Sequence, residues 1–305
     1  MTQKIMTLRE YINRASEEKK AIGHFNITNS DMLSGIVSAA KEKNAPVIIG
    51  VSEGERDHMG IAQAVALVKS YRKGGTSSVD SAQGQEFPIF INADHTYSYE
   101  RVKEAIDAGF DAVIFDATEM PFEKNVEETQ KCVRYARAHT EATGHDVLVE
   151  AELGFIGKSS KVLAEVPAGV KITEEFLTKP EEATRFVELT GVDLLAPAVG
   201  NIHGMLKGGK DPALNTKRIA EIRAVSGVPL VLHGGSGGST EDFLGAVKGG
   251  CAIVHISTEI RVAYRTALEK AFKDAPDEVA PYRYSAPAIE AVKKVVLEKL
   301  TLFGW

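Results

Sequence analysis

An unbroken alternation constrains this chain most: a short apolar run, then a helical pattern, about eight times over. The apolar runs fall at residues 21–25, 47–51, 88–93, 112–115, 147–151, 193–198, 229–233 and 252–256. Helical patterns follow them. Asn29 or Ser30 can cap a helix whose apolar face is Leu33, Ile36, Val37 and Ala40. Ile61, Val65 and Val68 mark the next helix, and Ser98 opens another that ends at Gly109. Helices are also expected over 126–143, 216–226 and 240–248, and Thr178-Lys179-Pro180-Glu181 reads as a capping box with proline in the first turn. Strands this short and apolar suit a parallel sheet buried on both faces. The pattern predicts a (β/α)8 TIM barrel, with an additional amphipathic helix over 8–19 and extra helices at the C-terminus. A doubly wound open sheet has the same local alternation, but no G-x-G-x-x-G opens the first βα turn.

No composition break divides the 305 residues, so one domain spanning 1–305 is expected. Two stretches do not follow the alternation. Residues 74–86 read as a polar surface insertion, and 155–173 as a long loop of no clear period. A net charge of −6 argues against nucleic acid or an anionic membrane as partner. The first twenty residues lack the apolar core of a secretory signal, and no run approaches a membrane span. Cys132 and Cys251 stand far apart in no metal spacing, so reduced thiols and a cytoplasmic location are expected.

The chemistry collects where a barrel of this kind keeps its active site, at the C-terminal ends of strands. Asn26, Ser52, Asp94-His95, Asp116, Glu152, His203, His233 and the run His255-Ile256-Ser257-Thr258 all lie at or just past expected strand ends. One such group is an ordinary cap. Polar groups after nearly every strand, with histidines in DHT, GNIHG and LHGGS, are hard to explain as caps. Three neutral imidazoles suit a Zn²⁺ ion with an open coordination position. The remaining histidines, His24, His58, His139 and His145, read as structural. The glycine-rich turn His233–Gly238 and the pair Ser257-Thr258 follow the last two strands, where this fold often binds phosphate. No lysine lies within the expected strands after the first, so carbonyl chemistry here would rely on a metal instead of a Schiff base.

These residues resemble the class II, zinc-dependent ketose-bisphosphate aldolases, which include the fructose- and tagatose-bisphosphate enzymes. The resemblance runs through GHFNITN, the Asp-His pair, IFDATEMPFEKNV, VEAELG, FLTKPEEATRFVELTGVD, GNIHG, LHGGSG and HISTEI. It implies that His95, His203 and His233 hold a catalytic Zn²⁺ and that Asp94 is the acid/base on the C4 hydroxyl. Asp116 and Glu152 match acidic positions to which the metal shifts or where a second ion binds. Gly204, Lys207, Gly234 and Ser236 match groups around the triose phosphate and a monovalent cation, Na⁺ or K⁺, and Gly235, Ser257 and Thr258 of the two phosphate-suited stretches join them as candidates. Asn26 and Ser52 match substrate-contacting positions, and His255 occupies a third such position with a different residue. The family habit further implies a sugar-phosphate substrate, a place in glycolysis and at least a homodimer. His255 stands where the family usually has Asn, and Asn92 where many members have His. Arg283 is the stand-in for a phosphate-holding arginine, and Glu165 the candidate acid in the mobile loop.

The expected reaction is reversible cleavage of fructose 1,6-bisphosphate to dihydroxyacetone phosphate and glyceraldehyde 3-phosphate. The same chemistry on another phosphorylated ketose, such as tagatose 1,6-bisphosphate, is the near alternative. A zinc-dependent barrel hydrolase is a more distant one, and Gly23-His24-Phe25 lacks the H-x-H pair such enzymes carry after the first strand. A catalytically silent metal- or phosphate-binding barrel is the third.

Overall fold

A computed structural model describes residues 6–73, 86–158, 161–166, 169–208 and 211–305. Eight parallel strands close into a barrel: β1 (Ile22–Asn26), β2 (Val47–Ser52), β3 (Ile89–Thr96), β4 (Ala112–Phe115), β5 (Leu148–Leu153), β6 (Leu194–Pro197), β7 (Leu230–Leu232) and β8 (Cys251–Ile256). Each strand neighbours the next in sequence, and β1 pairs with β8, His24 opposite His255, to close the ring. The expected barrel is therefore the observed one. The insertion expected at 74–86 lies outside the described residues but for Glu86.

Helix α1 (Leu8–Glu17) is not part of the outer ring. Its Leu8, Ile12 and Ala15 pack on Ile22, Ile48, Phe90, Leu148, Leu194, Val231 and Ile253, the lowest inward-facing layer of the barrel. It plugs the N-terminal mouth with apolar side chains, and Arg9 fastens it there through Asp146 (2.8 Å) and Asp193 (2.7 Å). The outer ring begins with α2 (Ser30–Lys43), capped by Asn29 accepting from the Met32 amide at 2.9 Å. A seven-residue helix, α3 (Glu53–Met59), follows β2 immediately and precedes α4 (Ile61–Arg72). No periodic signal marks it in the sequence, because about two turns are too short to show one. The ring continues with α5 (Tyr99–Ala108), α6 (Phe122–Thr143), α7 (Pro180–Thr190), α8 (Thr216–Ser226), α9 (Thr240–Gly249) and α10 (Thr258–Asp274). After α11 (Pro281–Tyr284), α12 (Ala286–Leu302) returns to α2, where Gly35 lets Val292 and the Ile289 carbonyl approach closely.

Two local expectations differ. The cap of α7 is Lys179, with Glu182 reaching back to its amide, and not Thr178. Thr178 is drawn inward instead: its hydroxyl donates to the Leu153 carbonyl at 2.6 Å and accepts from the Ala198 amide at 2.9 Å, tying the ends of β5 and β6. Within the stretch expected to be a loop, Val162–Leu163 forms two parallel ladder pairs with Met205–Leu206 beside the barrel mouth.

Candidate active site

Alternation along a strand sends every second side chain inward, so the site is built in layers above the apolar plug. His24, Asn92 and Glu150 occupy one layer of polar groups, and Asn26, Asp94 and Glu152 the layer above, two residues further along the same strands. All six are buried. Gly50, on β2 beside β1, leaves room for this: a Cβ there would fall 2.2 Å from the His24 ring.

β3 departs from simple alternation. Its register with β4 shifts between Ala93 and Thr96, and His95 takes a left-handed backbone with φ of 39°. This bulge turns His95 toward the interior beside Asp94, where a regular strand would send one of the two outward. A non-glycine residue held left-handed costs roughly 1–2 kcal/mol, and such strain persists where the surroundings fix it.

His95, Glu152, His203 and His233 converge so that one ligand atom from each lies within 4.8 Å of the others. The imidazoles stand edge to face, with ring centroids 4.5 Å apart for His95–His203, 5.1 Å for His95–His233 and 5.6 Å for His203–His233. Glu152 Oε1, His203 Nε2 and His233 Nδ1 are buried with no hydrogen-bond partner. His233 Nδ1 and Glu152 Oε1 approach to 2.5 Å without hydrogen-bond geometry. Leaving buried donors and acceptors unmatched is costly, and lone pairs aimed at a common point are what a cation relieves. Nitrogen and carboxylate donors of this kind fit zinc and related divalent ions.

Outer groups orient these donors. His233 Nε2 lies 2.7 Å from Glu150 Oε1, inside the barrel, and His95 Nδ1 lies 3.1 Å from Asp116 Oδ2. Asp116 Oδ1 accepts from the Thr118 amide and hydroxyl at 3.2 and 2.8 Å. Asp116 thus stands behind His95, outside the convergent four, while Glu152 is within it. Burial alone would lower the His95 pKa, but Asp94, Glu152 and Asp116 outweigh it and push it up to about 9. Burial dominates at His203 and His255 and lowers both, and it lowers His24 to about 4. Asp94 is buried too, yet the imidazoles of His95, His24 and His233 and the Asn26 amide hold its carboxyl well below the usual range.

A cleft opens above the convergent donors. Asn26, Ser52, Asp94, His95, His203, Gly204, Gly234, Ser236, His255, Ser257 and Thr258 all line it, as the sequence places them. Gly234, at φ of 62°, passes so near Ile202 that a Cβ would lie 2.1 Å from its carbonyl oxygen. Ser236 Oγ accepts from the amides of Ser257 and Glu259, both at 3.2 Å, which joins the glycine-rich turn to the start of α10. Gly235 sits beneath, its amide donating to the His255 carbonyl at 3.1 Å.

Other expected residues lie elsewhere. Lys207 is exposed just past Met205–Leu206 and does not line the cleft, because that short strand pair carries its side chain to the surface. Arg283 is exposed and pairs with Glu278 at 3.4 Å, and Glu165 is exposed outside the cleft. Lys158, Tyr97 and Arg261 line the cleft instead. His24, read from sequence as structural, is wholly buried but stacks flat on His255, with centroids 3.5 Å apart, directly below Asp94. The alternation itself could have found it: His24 and Glu150 sit two residues before Asn26 and Glu152.

His24, Asp94 and His255 also bring ligand atoms within 4.8 Å of one another. The two rings are parallel to within 2°. In-plane lone pairs of parallel rings cannot point at one ion about 2.0–2.1 Å from each nitrogen, so this trio is not a chelating set.

The family described as fructose-bisphosphate aldolase class-II matches residues 6–305. The fructose-bisphosphate aldolase of Staphylococcus epidermidis is 39% identical over 304 residues, covering 98% of this chain and 97% of that one. The Staphylococcus aureus fructose-bisphosphate aldolase is 38% identical over 302 residues, with 98% and 97% covered. Among solved structures, the YdjI aldolase from Escherichia coli K12 aligns with a TM-score of 0.76 and 31% identity, over 97% of this chain and 96% of that one. The fructose-bisphosphate aldolase of Campylobacter jejuni shares the fold, with a TM-score of 0.73 at 20% identity over 97% and 93%.

Proposed function

Because the chain belongs to the class-II fructose-bisphosphate aldolase family, we propose that it catalyses the reversible, zinc-dependent aldol cleavage of a ketose phosphate. Fructose 1,6-bisphosphate, giving dihydroxyacetone phosphate and glyceraldehyde 3-phosphate, is the substrate to which the relatives' names point. The observation that carries this reading is the convergence of His95, His203, His233 and Glu152 on one point beside the buried Asp94 carboxyl. Those four residues would hold the ion. When bound, it supplies a Lewis acid that stabilises the negative charge developing on the ketose oxygen as the C3–C4 bond breaks, worth several kcal/mol.

The chain's own residues do the rest. Asp94 takes the proton of the C4 hydroxyl during cleavage and returns one to the aldehyde during condensation. Asn26 Nδ2 donates to Asp94 Oδ2 at 2.8 Å and fixes the carboxylate. The Asp94 Oδ1 atom has no hydrogen-bond partner, which leaves it available to substrate. Gly204, Gly234, Ser236, Ser257 and Thr258 form the end of the cleft suited to the triose phosphate, with a monovalent cation alongside. From the habit of the family we infer a cytoplasmic homo-oligomer handling a sugar phosphate; separately, no helix among the described residues is long and apolar enough to cross a membrane.

The test is cleavage of fructose 1,6-bisphosphate followed by triose phosphate release. Activity that chelator removes and Zn²⁺ restores is the expected result. Metal-loaded protein that cleaves neither this ketose, tagatose 1,6-bisphosphate nor a ketose 1-phosphate would overturn the assignment. A second reading, the same chemistry on a ketose with a different distal end, is favoured by the carboxylate that already occupies the cleft arginine.

A further inference from the structure

The cleft arginine is Arg261, in the first turn of α10, and its Nη2 donates to Glu55 Oε1. Glu55 belongs to the first turn of α3 and is buried, at 6% exposure. Its other oxygen accepts from the Ser52 amide at 2.7 Å and from Asn26 Nδ2 at 3.0 Å. Asn26 shares that amide group with Asp94, so Glu55 lies one side chain away from the proposed proton carrier. Arg56, next in sequence, turns away to the Val51 and Asp94 carbonyls and to Thr96, and does not line the cleft. The other cation lining the cleft, Lys158, is paired with Glu119 at 2.7 Å.

A ketose whose first phosphate lies at the Gly234–Ser236 end, and whose C4 hydroxyl meets Asp94, runs its tail toward Asn26, Ser52, Glu55 and Arg261. We propose that Glu55 makes this distal end select a neutral polyhydroxy tail over a phosphate. The proposal rests on the aldolase reading and deepens it. Hydroxyls can donate to Glu55 and accept from Arg261 together, and so fit the pair as it stands. A distal phosphate meets, at Arg261, a cation that the Glu55 carboxylate already holds. It must either lie against that like charge or draw Arg261 away and strand a buried carboxylate. The substrate class is therefore ketose 1-phosphates with an uncharged tail. The bisphosphate is accepted without being preferred.

The test compares kcat/KM of metal-loaded enzyme on fructose 1-phosphate and fructose 1,6-bisphosphate, for the wild type and for Glu55→Gln. The amide keeps an acceptor for the Ser52 and Asn26 donors and removes the charge. Wild type is expected to use the 1-phosphate at least as well as the bisphosphate. In Glu55→Gln the bisphosphate-to-monophosphate ratio is expected to rise about tenfold or more, chiefly through KM for the bisphosphate. A wild-type preference for the bisphosphate of about tenfold or more, or a ratio that Glu55→Gln leaves unchanged, overturns the proposal. If Glu55→Gln fails to fold, the wild-type ratio decides alone. Failure to cleave either sugar would instead overturn the aldolase reading.

Discussion

Behind His233 stands Glu150, whose carboxylate at 2.7 Å leaves the other ring nitrogen free to face the site. Burial raises the Glu150 pKa, and the adjacent imidazole works against that rise. Removing such an orienting group typically costs about 10–100-fold in metal affinity. Glu150→Leu is therefore expected to weaken zinc binding by that range, measured by competition with a chromogenic chelator, while Asp94 chemistry in zinc-saturated protein falls less. Asp94→Asn should do the opposite. Metal content stays at wild-type level while kcat drops by about 10²–10⁴, the usual contribution of a placed acid/base. Loss of metal in that variant would show that Asp94 has a different role. The convergent histidines, Asp94 and the glycine-rich turn were legible in the sequence because each sits at a strand end or in the loop after one. Lys158 and Arg261 were not, since a side chain on a loop or a helix turn reaches the cleft only through tertiary packing. Lys207 misled for the same reason: its neighbourhood in sequence is right and its side chain points outward.

At the level of elements, two departures from regularity matter most. The bulge in β3 delivers consecutive residues to one face, and no periodicity argument could foresee it, because alternation allows only one of Asp94 and His95 inside. The helix α1 was visible as an amphipathic segment, but amphipathicity does not say which surface it covers. It seals the barrel bottom, with Ile12 2% exposed and Ala15 fully buried. Ile12→Ala is expected to cost about 2–5 kcal/mol, the range for deleting a buried branched side chain. Urea unfolding would show it as a lower midpoint at constant slope. The catalytic end lies across the barrel from this plug, so kcat of the folded protein should change little.

Taken whole, the barrel is charged at its base as well as at its mouth. Asp111 accepts from Arg72 and from the Ile91 amide at 2.8 Å, while His145 lies 3.4 Å away. Burial would raise the Asp111 pKa, but His145, Arg72 and the amide together lower it. A carboxyl lowered on folding contributes stability that is complete above its unfolded value, near 3.9, and is lost as pH falls through the folded one. Asp111→Asn should therefore destabilise most near neutrality, by about 1–3 kcal/mol for a buried charged partner left unmatched. The gap from wild type should narrow as pH drops below about 4. A gap that is constant with pH would mean the loss is steric. The barrel class was readable from the alternation together with the missing G-x-G-x-x-G turn, since eight parallel strands with intervening helices have few other ways to bury both faces.

The seam between β1 and β8 carries one more implication, for how the protein is made. Residues 22–25 pair with residues 253–256, so the ring stays open until almost the whole chain exists. Before then β1 presents an unpaired edge, and α2 lacks the α12 face that packs on it. A growing polypeptide must hold that exposed edge out of contact with its neighbours throughout synthesis, a period in which unpaired strands invite aggregation. Chains ending before residue 251 should accumulate as insoluble material or bound to chaperones, whereas the full chain closes and is released.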